Sequence, residues 1–472
     1  MVVASLLSAV VERVGIPLVA AFLLLGAVLG PYGFGLIDMH LASPVLRALA
    51  ILGLALVLFS DAVTVNVREL RDRRQLVWMV LGPGTLLPAA LIALAAFWVL
   101  DLSAAAAAIL GAALASTDPV LLRSVLRSPS LPTPSRVALR IESGMNDALL
   151  VPIVILAALA LREAAPLSGR EIGRNLVGLF VLGPALGAIV GWAGITMLAS
   201  VRSRVGVRRD YESLYALGLG FAAYAAAEAV GGSGFLAAFA AGLAIAALDV
   251  ELCDCFLEYG EATSEMLLLL TFVAFGASLI WTGLSIVDWR LLVFTPIALL
   301  ARTAVLYPVL THVGVRGQDR KYIALFGPRG LSSLLLALLP VFAGVPGASR
   351  LFSITSFVVL VSLAAHGGII GYYLRSKGAP RQPRQAPRVV EPSEAKLEQP
   401  EPENEHIITQ AEVLELQRHR EPVIFIDARA PRSFEADNRR IRGALRIQPD
   451  DPVRMATDLR LSNQATLVVY CA

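Results

Sequence analysis

The chain has 472 residues, of which 56% are hydrophobic and 16% charged, and its formal net charge is +3. A mean hydropathy of +0.69 and so few charges exclude an ordinary soluble enzyme, because soluble domains carry about 25% charged residues. The small net charge gives no reason to expect a nucleic-acid partner. Long apolar runs extend to about residue 375, and they predict an all-α polytopic protein in the lipid bilayer.

The apolar runs predict about thirteen transmembrane helices by the criterion of roughly 20 apolar residues per span. The first run is shorter than a full span. The predicted spans are residues 1–13, 16–37, 44–66, 75–100, 102–127, 136–161, 172–200, 212–230, 233–249, 262–282, 289–313, 319–344 and 350–375.

Arginines predict the orientation of these spans. They follow the odd-numbered spans, for example at Arg71, Arg74, Arg204 and Arg320. Cytoplasmic loops carry an excess of Lys and Arg, so these loops are predicted to be cytoplasmic. This places the N-terminus outside and the C-terminal tail in the cytoplasm, in a multi-pass protein of the cell (inner) membrane. The acidic loop at 249–265 and the mixed charges after the sixth span are exceptions.

Two polar islands interrupt neighbouring spans, at residues 116–119 and 142–147. Charged and polar side chains are expensive within a membrane, so they are usually paired, face a cavity or are functional. On a helix, Glu142 lies one turn from Asn146, and Ser143 one turn from Asp147, in two adjacent rows. The islands together predict a cation and proton site at the middle of the membrane.

The first island contains a proline that is expected to break its helix. Pro119 lacks a backbone donor, and irregular backbone at membrane depth is tolerated where it lines a cavity or is buried in protein. Broken helices build the ion sites of many transporters. The alternative is an ordinary proline kink with Asp118 as a cap. The sequence also allows a division in which Asp118 caps a half-helix while Asp147 binds the ion.

Asp147 is the predicted titrating carboxylate. Burial disfavours its charged form, so a proton and a cation can compete for it. The neutral oxygens of Thr117, Ser143 and Asn146 suit a hard monovalent cation, and we predict a Na+ site at Asp147, Asp118, Ser143 and Thr117. Each neutral side chain taken singly could instead serve helix–helix hydrogen bonding.

Four charged residues within predicted spans need a further explanation. Glu142 needs a partner, because an unpaired buried charge is costly, and we expect a structural ion pair with Arg302. Arg329 lies in a Gly/Pro-rich stretch, where it either belongs to the ion pathway or extends to the membrane surface as a topogenic charge. Asp61 either lines the pathway or caps its helix near the membrane surface.

At these residues the chain resembles the NhaP-type sodium/proton antiporters of the cation:proton antiporter family. No single motif is decisive, but the ordered set is specific. The motifs are Phe59-Ser60-Asp61-Ala62, Thr117-Asp118-Pro119-Val120, Glu142-Ser143-Gly144-Met145-Asn146-Asp147, Ala301-Arg302 and Phe326-Gly327-Pro328-Arg329-Gly330.

The resemblance implies an inverted-repeat fold of the NhaA/NhaP kind, with discontinuous helices, a core domain and a dimerisation domain, usually in a homodimer. It implies that Asn146 and Asp147 form the family's Asn-Asp pair, with Asp147 binding the ion. Members with this pair typically exchange one cation for one proton without net charge movement. It also implies that Glu142 pairs with Arg302.

After the membrane domain, residues 1–375, the sequence predicts a flexible linker at 376–405 and a small α/β unit at 406–472. This unit resembles a rhodanese-like domain in Asp427-Ala428-Arg429, Gly443-Ala444 and the strand leading to Cys471, which stands at the position of the catalytic cysteine. The loop that cradles a persulfide in that family is missing after Cys471. We therefore expect an incomplete domain without sulfurtransferase activity.

The sequence thus predicts a secondary active transporter that exchanges Na+ (or K+) for H+ by alternating access, with no cofactor. Two other functions stay open. One is a cation channel, in which the buried acids form a filter. The other is a redox or sulfur-sensing protein that acts through the rhodanese-like tail.

Overall fold

The computed structural model describes residues 18–65, 67–126, 128, 131–162, 168–205, 209–248, 263, 266–267, 269–313, 315, 317–376, 423–429, 441, 443–447 and 466–470. The chain divides into two compact units, Met1–Arg381 and Gln382–Ala472. The described helices of the first unit are α1 (Leu18–Leu29), α2 (Pro44–Val63), α3 (Val67–Asp72), α4 (Arg74–Leu81), α5 (Pro83–Val99), α6 (Ala104–Ala115), α7 (Pro119–Leu126), α8 (Thr133–Arg162), α9 (Gly169–Val177), α10 (Gly183–Val205), α11 (Arg209–Ala229), α12 (Gly234–Ala247), α13 (Trp289–His312), α14 (Gly317–Leu325), α15 (Leu331–Phe342) and α16 (Ala348–Ser376). A further helical segment, Leu269–Ile286, contains a π-helical turn at Phe275–Leu279 and a 3-10 helix at Ile280–Ile286.

Among the described residues, eight helical segments are long and apolar enough to cross a membrane, and four shorter apolar helices accompany them. These twelve correspond in order to twelve of the predicted spans. The first predicted span, residues 1–13, lies outside the described residues. The all-α polytopic fold with discontinuous helices is therefore confirmed.

Capping side chains fix where several spans begin. A side-chain oxygen at each of these positions accepts a hydrogen bond from the backbone N–H three residues later, which satisfies one of the free donors at a helix start. The caps are Ser43 for α2, Ser103 for α6, Ser233 for α12 and Asp288 for α13. Each of these helices therefore begins directly after a Ser or Asp residue that precedes a largely apolar segment.

Small residues let the helices of the membrane unit approach closely. At Gly187 of α10, a Cβ atom would lie 2.0 Å from the carbonyl oxygen of Ala237 on α12, so only glycine allows this contact. Membrane helices commonly pack through such small residues, since lipid provides little hydrophobic force between them. Helix α6 is rich in alanine and almost entirely buried, which places its C-terminal end deep inside the unit.

The second unit contains a three-stranded parallel sheet in the order β2 (Leu445–Arg446), β1 (Val423–Asp427), β3 (Thr466–Tyr470). The predicted strands at 423–427 and 466–470 are present. At the end of β1, Arg429 donates hydrogen bonds to both carboxylate oxygens of Asp427, at 2.9 and 2.7 Å. These bonds hold the pKa of Asp427 at about 2, below its ordinary value. Cys471 lies outside the described residues.

Candidate functional site

Two interrupted helices meet at a crossing inside the membrane unit, formed by residues 116–118 of one helix and residues 326–330 of the other. The first is interrupted between α6 and α7, where residues 116–118 are not helical. Pro119 begins α7, a position where the missing N–H of proline carries no penalty. The second is interrupted between α14 and α15 by residues 326–330. The predicted break at Pro119 is confirmed, and the alternative of a simple kink is wrong.

Asp118 joins the two breaks. Its backbone N–H donates to the carbonyl oxygen of Pro328 at 3.0 Å. One carboxylate oxygen accepts from the backbone N–H of Val120 at 2.8 Å, and the other from that of Leu331 at 2.6 Å. Asp118 therefore caps the N-terminal ends of both α7 and α15, where the helix dipoles favour negative charge. A Cβ atom at Gly330 would lie 1.9 Å from Asp118 Oδ2, so this close approach requires glycine.

Two arginines satisfy the carbonyl ends of the other two half-helices. Nη1 of Arg329 donates to the carbonyl oxygens of Ala115 and Ser116, at 2.6 and 3.0 Å, where α6 ends. Nη1 of Arg302 donates to the carbonyl oxygen of Ala324 at 2.9 Å, where α14 ends. A positive charge is favourable at the C-terminal end of a helix. All four half-helix ends at the crossing are thus met by a charged side chain.

Asp147 projects from the continuous helix α8 toward this crossing and is 3% exposed. The hydroxyl of Ser116, in the first break, donates to Oδ1 of Asp147 at 2.5 Å. The side chain of Ser332, in the first turn of α15, also lies beside the Asp147 carboxylate. Asp147 therefore meets one hydroxyl from each broken helix, and no guanidinium is bonded to it among the described residues.

Asn146 supplies an open oxygen beside Asp147. Its Nδ2 donates to Oγ1 of Thr117 at 2.8 Å. Its Oδ1 is buried and has no hydrogen-bond partner within the described ranges. A buried amide oxygen without a donor is unusual, and it is suited to a hard cation. The described side chains at this place thus offer a carboxylate, hydroxyls and a free amide oxygen.

Glu142 and Arg302 form a buried, two-pronged salt bridge, the pairing that the sequence predicts. The Nε and Nη2 atoms of Arg302 donate to the two oxygens of Glu142, at 2.5 and 2.6 Å. Parallel N–H···O bonds of this kind are the strongest geometry for such a pair. Since Arg302 also holds the end of α14, the salt bridge fixes α8 to the second broken helix.

The other predicted site residues take separate places. The hydroxyl of Ser143 donates to the carbonyl oxygen of Leu139 on its own helix, at 2.9 Å. Asp61 is half-buried in the last turn of α2, and its side chain lies beside Gly144. Arg329 is completely buried, so the alternative in which it extends to the membrane surface is wrong.

Two residues beside Asp147, Ser116 and Ser332, are not among the site residues that the sequence predicts. Ser116 stood in the first polar island, next to Thr117, so its position was a signal. Ser332 lies two residues after the Gly/Pro-rich stretch, in the first turn of α15, and this position is the only signal for it in the sequence. Their approach to Asp147 depends on the crossing of two helices that are distant in sequence.

Comparison with known families identifies the membrane unit. The model of the transmembrane domain of sodium/hydrogen exchangers matches residues 1–376. The chain belongs to the sodium/hydrogen exchanger family. The match covers every described helix of the first unit and ends where α16 ends.

Relatives and solved structures agree with this assignment. The chain is 29% identical over 379 residues to the K(+)/H(+) antiporter NhaP2 of Shewanella sp. (strain ANA-3), and 25% identical over 376 residues to the K(+)/H(+) antiporter NhaP of Alkalimonas amylolytica. These matches cover 77% and 78% of the chain and 63% of the length of either relative. Its fold is similar to that of the sodium proton antiporter MjNhaP1 from Methanocaldococcus jannaschii, with a TM-score of 0.63 and 21% identity, over 79% of this chain and 95% of that one.

Proposed function

We propose that the protein exchanges a monovalent cation, K+ or Na+, for a proton across the membrane, with both ions competing for Asp147. The observation that carries this proposal is the setting of Asp147. Its carboxylate is buried between hydroxyls from two broken helices, while the other two carboxylates nearby are committed to backbone amides or to Arg302. The names of the relatives, which are K(+)/H(+) antiporters, support the same class of function.

The buried charges support exchange without net charge movement. The crossing and the adjacent salt bridge hold three buried carboxylates (Asp118, Glu142 and Asp147) and two buried guanidiniums (Arg302 and Arg329). With His366 neutral, one negative charge is left uncompensated. One monovalent cation or one proton neutralises it, so the loaded site can change its exposure from one side of the membrane to the other with either ion bound. An empty site stays charged, and a buried charge is expensive at membrane depth.

The cation would take oxygen ligands from the crossing. Asp147 supplies the charge, and the free Oδ1 of Asn146 supplies a neutral oxygen. The hydroxyl of Ser116 donates to Asp147 in the structure, and that of Ser332 lies beside the same carboxylate. Each hydroxyl can turn a lone pair toward a bound cation. We retain Thr117, Ser143 and Asp118 as surrounding residues of the proposed site. Ser143 would have to release the carbonyl oxygen of Leu139 to act as a ligand.

Dye-based pH measurements in vesicles test this function. K+, Na+ or Li+ is added to vesicles that contain the purified protein and an imposed pH gradient. We expect at least one cation to dissipate the gradient with saturation, at a rate that a clamped membrane potential does not change. Asp147→Asn should abolish the response, whereas Asp101→Asn, at an exposed position, should not. Full activity in Asp147→Asn would contradict the proposal, and a non-saturating flux that ignores the proton gradient would favour a channel.

The resemblance to NhaP-type antiporters also leads us to propose a homodimer in the inner membrane, with the N-terminus outside. Cross-linking of single cysteines in native vesicles and labelling from each side would test both. We infer that the protein acts as a transporter and not as an enzyme. The rhodanese-like tail stays a prediction from sequence, and measurement of cyanide-dependent sulfur transfer would test it.

A further inference from the structure

The last helix of the membrane unit carries a buried polar pair that the proposed transport step does not use. Ser362 and His366 lie one turn apart on α16, with 0% and 9% of their surfaces exposed. A buried histidine in an apolar helix requires hydrogen-bond partners. The contacts of this pair lead from α16 to the second break.

Ser362 holds the main chain of that break. The backbone N–H of Arg329 lies outside any helix and donates to Oγ of Ser362 at 2.8 Å. Two residues later, the N–H of Leu331 donates to Asp118. Since an unsatisfied N–H at membrane depth is costly, Ser362 is the side chain that allows the irregular backbone at Arg329 to be buried.

His366 orients the hydroxyl of Ser362. Its Nδ1 lies 3.1 Å from Oγ of Ser362. Because that oxygen already accepts from Arg329, its hydrogen is available for donation to an unprotonated Nδ1. With the hydrogen of a neutral imidazole on Nε2, the order of donation runs from Arg329 to Ser362 to His366. Nδ1 also lies 3.3 Å from the carbonyl oxygen of Ser362, and with the hydrogen on Nδ1 it is His366 that donates to Ser362. In both tautomers the imidazole restrains the hydroxyl that accepts from Arg329.

The side chain of Arg329 extends the connection to the transport site. Its Nη1 donates to the carbonyl oxygen of Ser116 at 3.0 Å, and the hydroxyl of Ser116 donates to Asp147 at 2.5 Å. We propose that Ser362 and His366 are positioning residues, which set the place of Arg329 and thereby the geometry of Ser116 at Asp147. The inference rests on the proposed cation exchange at Asp147.

The proposal predicts a specific pattern of transport kinetics. Ser362→Ala and His366→Phe remove the acceptor or its orienting partner, so the apparent KM for the cation should rise about fivefold or more, with the maximal rate within about a factor of two. His366→Asn places an amide oxygen near the former Nδ1 and should retain a KM within about twofold of wild type. A residue that only fills space would not be rescued in this way.

Ser356→Ala is the matched control. Ser356 is equally buried on the same helix, and its hydroxyl has no partner among the described residues. Amide hydrogen exchange of the peptide covering residues 326–331 is a second readout that does not depend on transport. We expect faster exchange there in Ser362→Ala and His366→Phe, but not in Ser356→Ala.

Three results would overturn the proposal: a KM in Ser362→Ala equal to that of Ser356→Ala, equal impairment in His366→Asn and His366→Phe, or unchanged hydrogen exchange at residues 326–331. Failure of the proposed function looks different. In that case the wild-type protein and Asp147→Asn show the same absence of cation-dependent proton movement, while the hydrogen-exchange result still decides whether Ser362 and His366 hold the break.

Discussion

Each of the two broken helices leaves free backbone groups at its half-helix ends, and charged side chains of opposite sign satisfy them. The first carries a carboxylate in its break, and Asp118 serves the N-terminal ends of α7 and α15. The second carries a guanidinium, and Arg329 serves the C-terminal end of α6. Each side chain has the sign that complements the helix ends it meets. The breaks therefore stabilise one another, because each side chain acts on a half-helix of the other broken helix.

This difference explains why we propose that the ions bind on a helix that is not broken. The charged side chains of the breaks are occupied by backbone groups, and Glu142 is occupied by Arg302. Asp147, on the continuous helix α8, accepts a hydrogen bond from the hydroxyl of Ser116. A hydroxyl can reorient at little cost, so the proposed exchange of a proton for a cation at Asp147 does not require the breaks to change shape.

The largest effect is expected when Arg302 is lost. Arg302→Met leaves the Glu142 carboxylate buried without its partner and frees the end of α14, which should lower the stability by about 3–5 kcal/mol. Thermal unfolding of the purified protein in detergent measures this as a lower Tm. The double variant Glu142→Gln/Arg302→Met should recover part of the loss. Equal instability of the single and double variants would contradict an unpaired charge as the cause.

Loss of Asp118 should have the next largest effect. Asp118→Ala removes one cap from α7 and one from α15, and each cap contributes about 1 kcal/mol, so unfolding should become easier by about twice that amount. Asp118→Asn keeps one acceptor oxygen and should lose about half as much. Unfolding measurements on both variants test this order. If Asp118→Ala is as stable as the wild type, the two breaks do not depend on the shared carboxylate.

A smaller effect is expected at Gly330. Gly330→Ala forces the carboxylate of Asp118 away and should lose the cap of α15, worth about 1 kcal/mol. Gly218→Ala is the control, because a Cβ atom at this helical glycine in α11 would have nothing within 4 Å, and alanine there should be neutral or slightly stabilising. A Gly330→Ala protein with the stability of the Gly218→Ala protein would refute the close approach.

The smallest effect concerns a carboxylate outside both breaks. If Asp61 lines the ion path, Asp61→Asn removes an attractive charge and should raise the apparent KM about two- to threefold, with a weaker effect at high salt. Asp38→Asn, in the exposed loop before α2, serves as the control. A lower Tm with an unchanged KM would instead assign Asp61 a structural role at the end of α2.

The sequence predicted the features that follow from the cost of isolated charges and from proline. The break at Pro119 and the partner of Glu142 belong to this group, because a buried carboxylate at membrane depth needs either a cation or a guanidinium. The division in which Asp118 caps while Asp147 stays available was also visible as an option.

Features that depend on the crossing were not accessible from one sequence. Ser332 is 185 residues from Asp147, and nothing local to either residue indicates their contact. For Ser143 the local helical spacing is correct, but it does not determine which group the side chain contacts. Its row on α8 was predicted from helical spacing, but its hydroxyl bonds to the carbonyl oxygen of Leu139, a local alternative that serine commonly uses in helices.

The central claim is that a proton and a cation compete for the carboxylate of Asp147. Calorimetric titration of the purified protein with the transported cation, in two buffers of different ionisation enthalpy at a series of pH values, measures the protons released per cation bound. The account predicts that proton release in the wild-type protein rises toward one per cation as the pH is lowered and Asp147 becomes protonated before the cation binds. It predicts neither cation binding nor proton release in Asp147→Asn. Saturable cation binding without proton release, or unchanged release in Asp147→Asn, would contradict it.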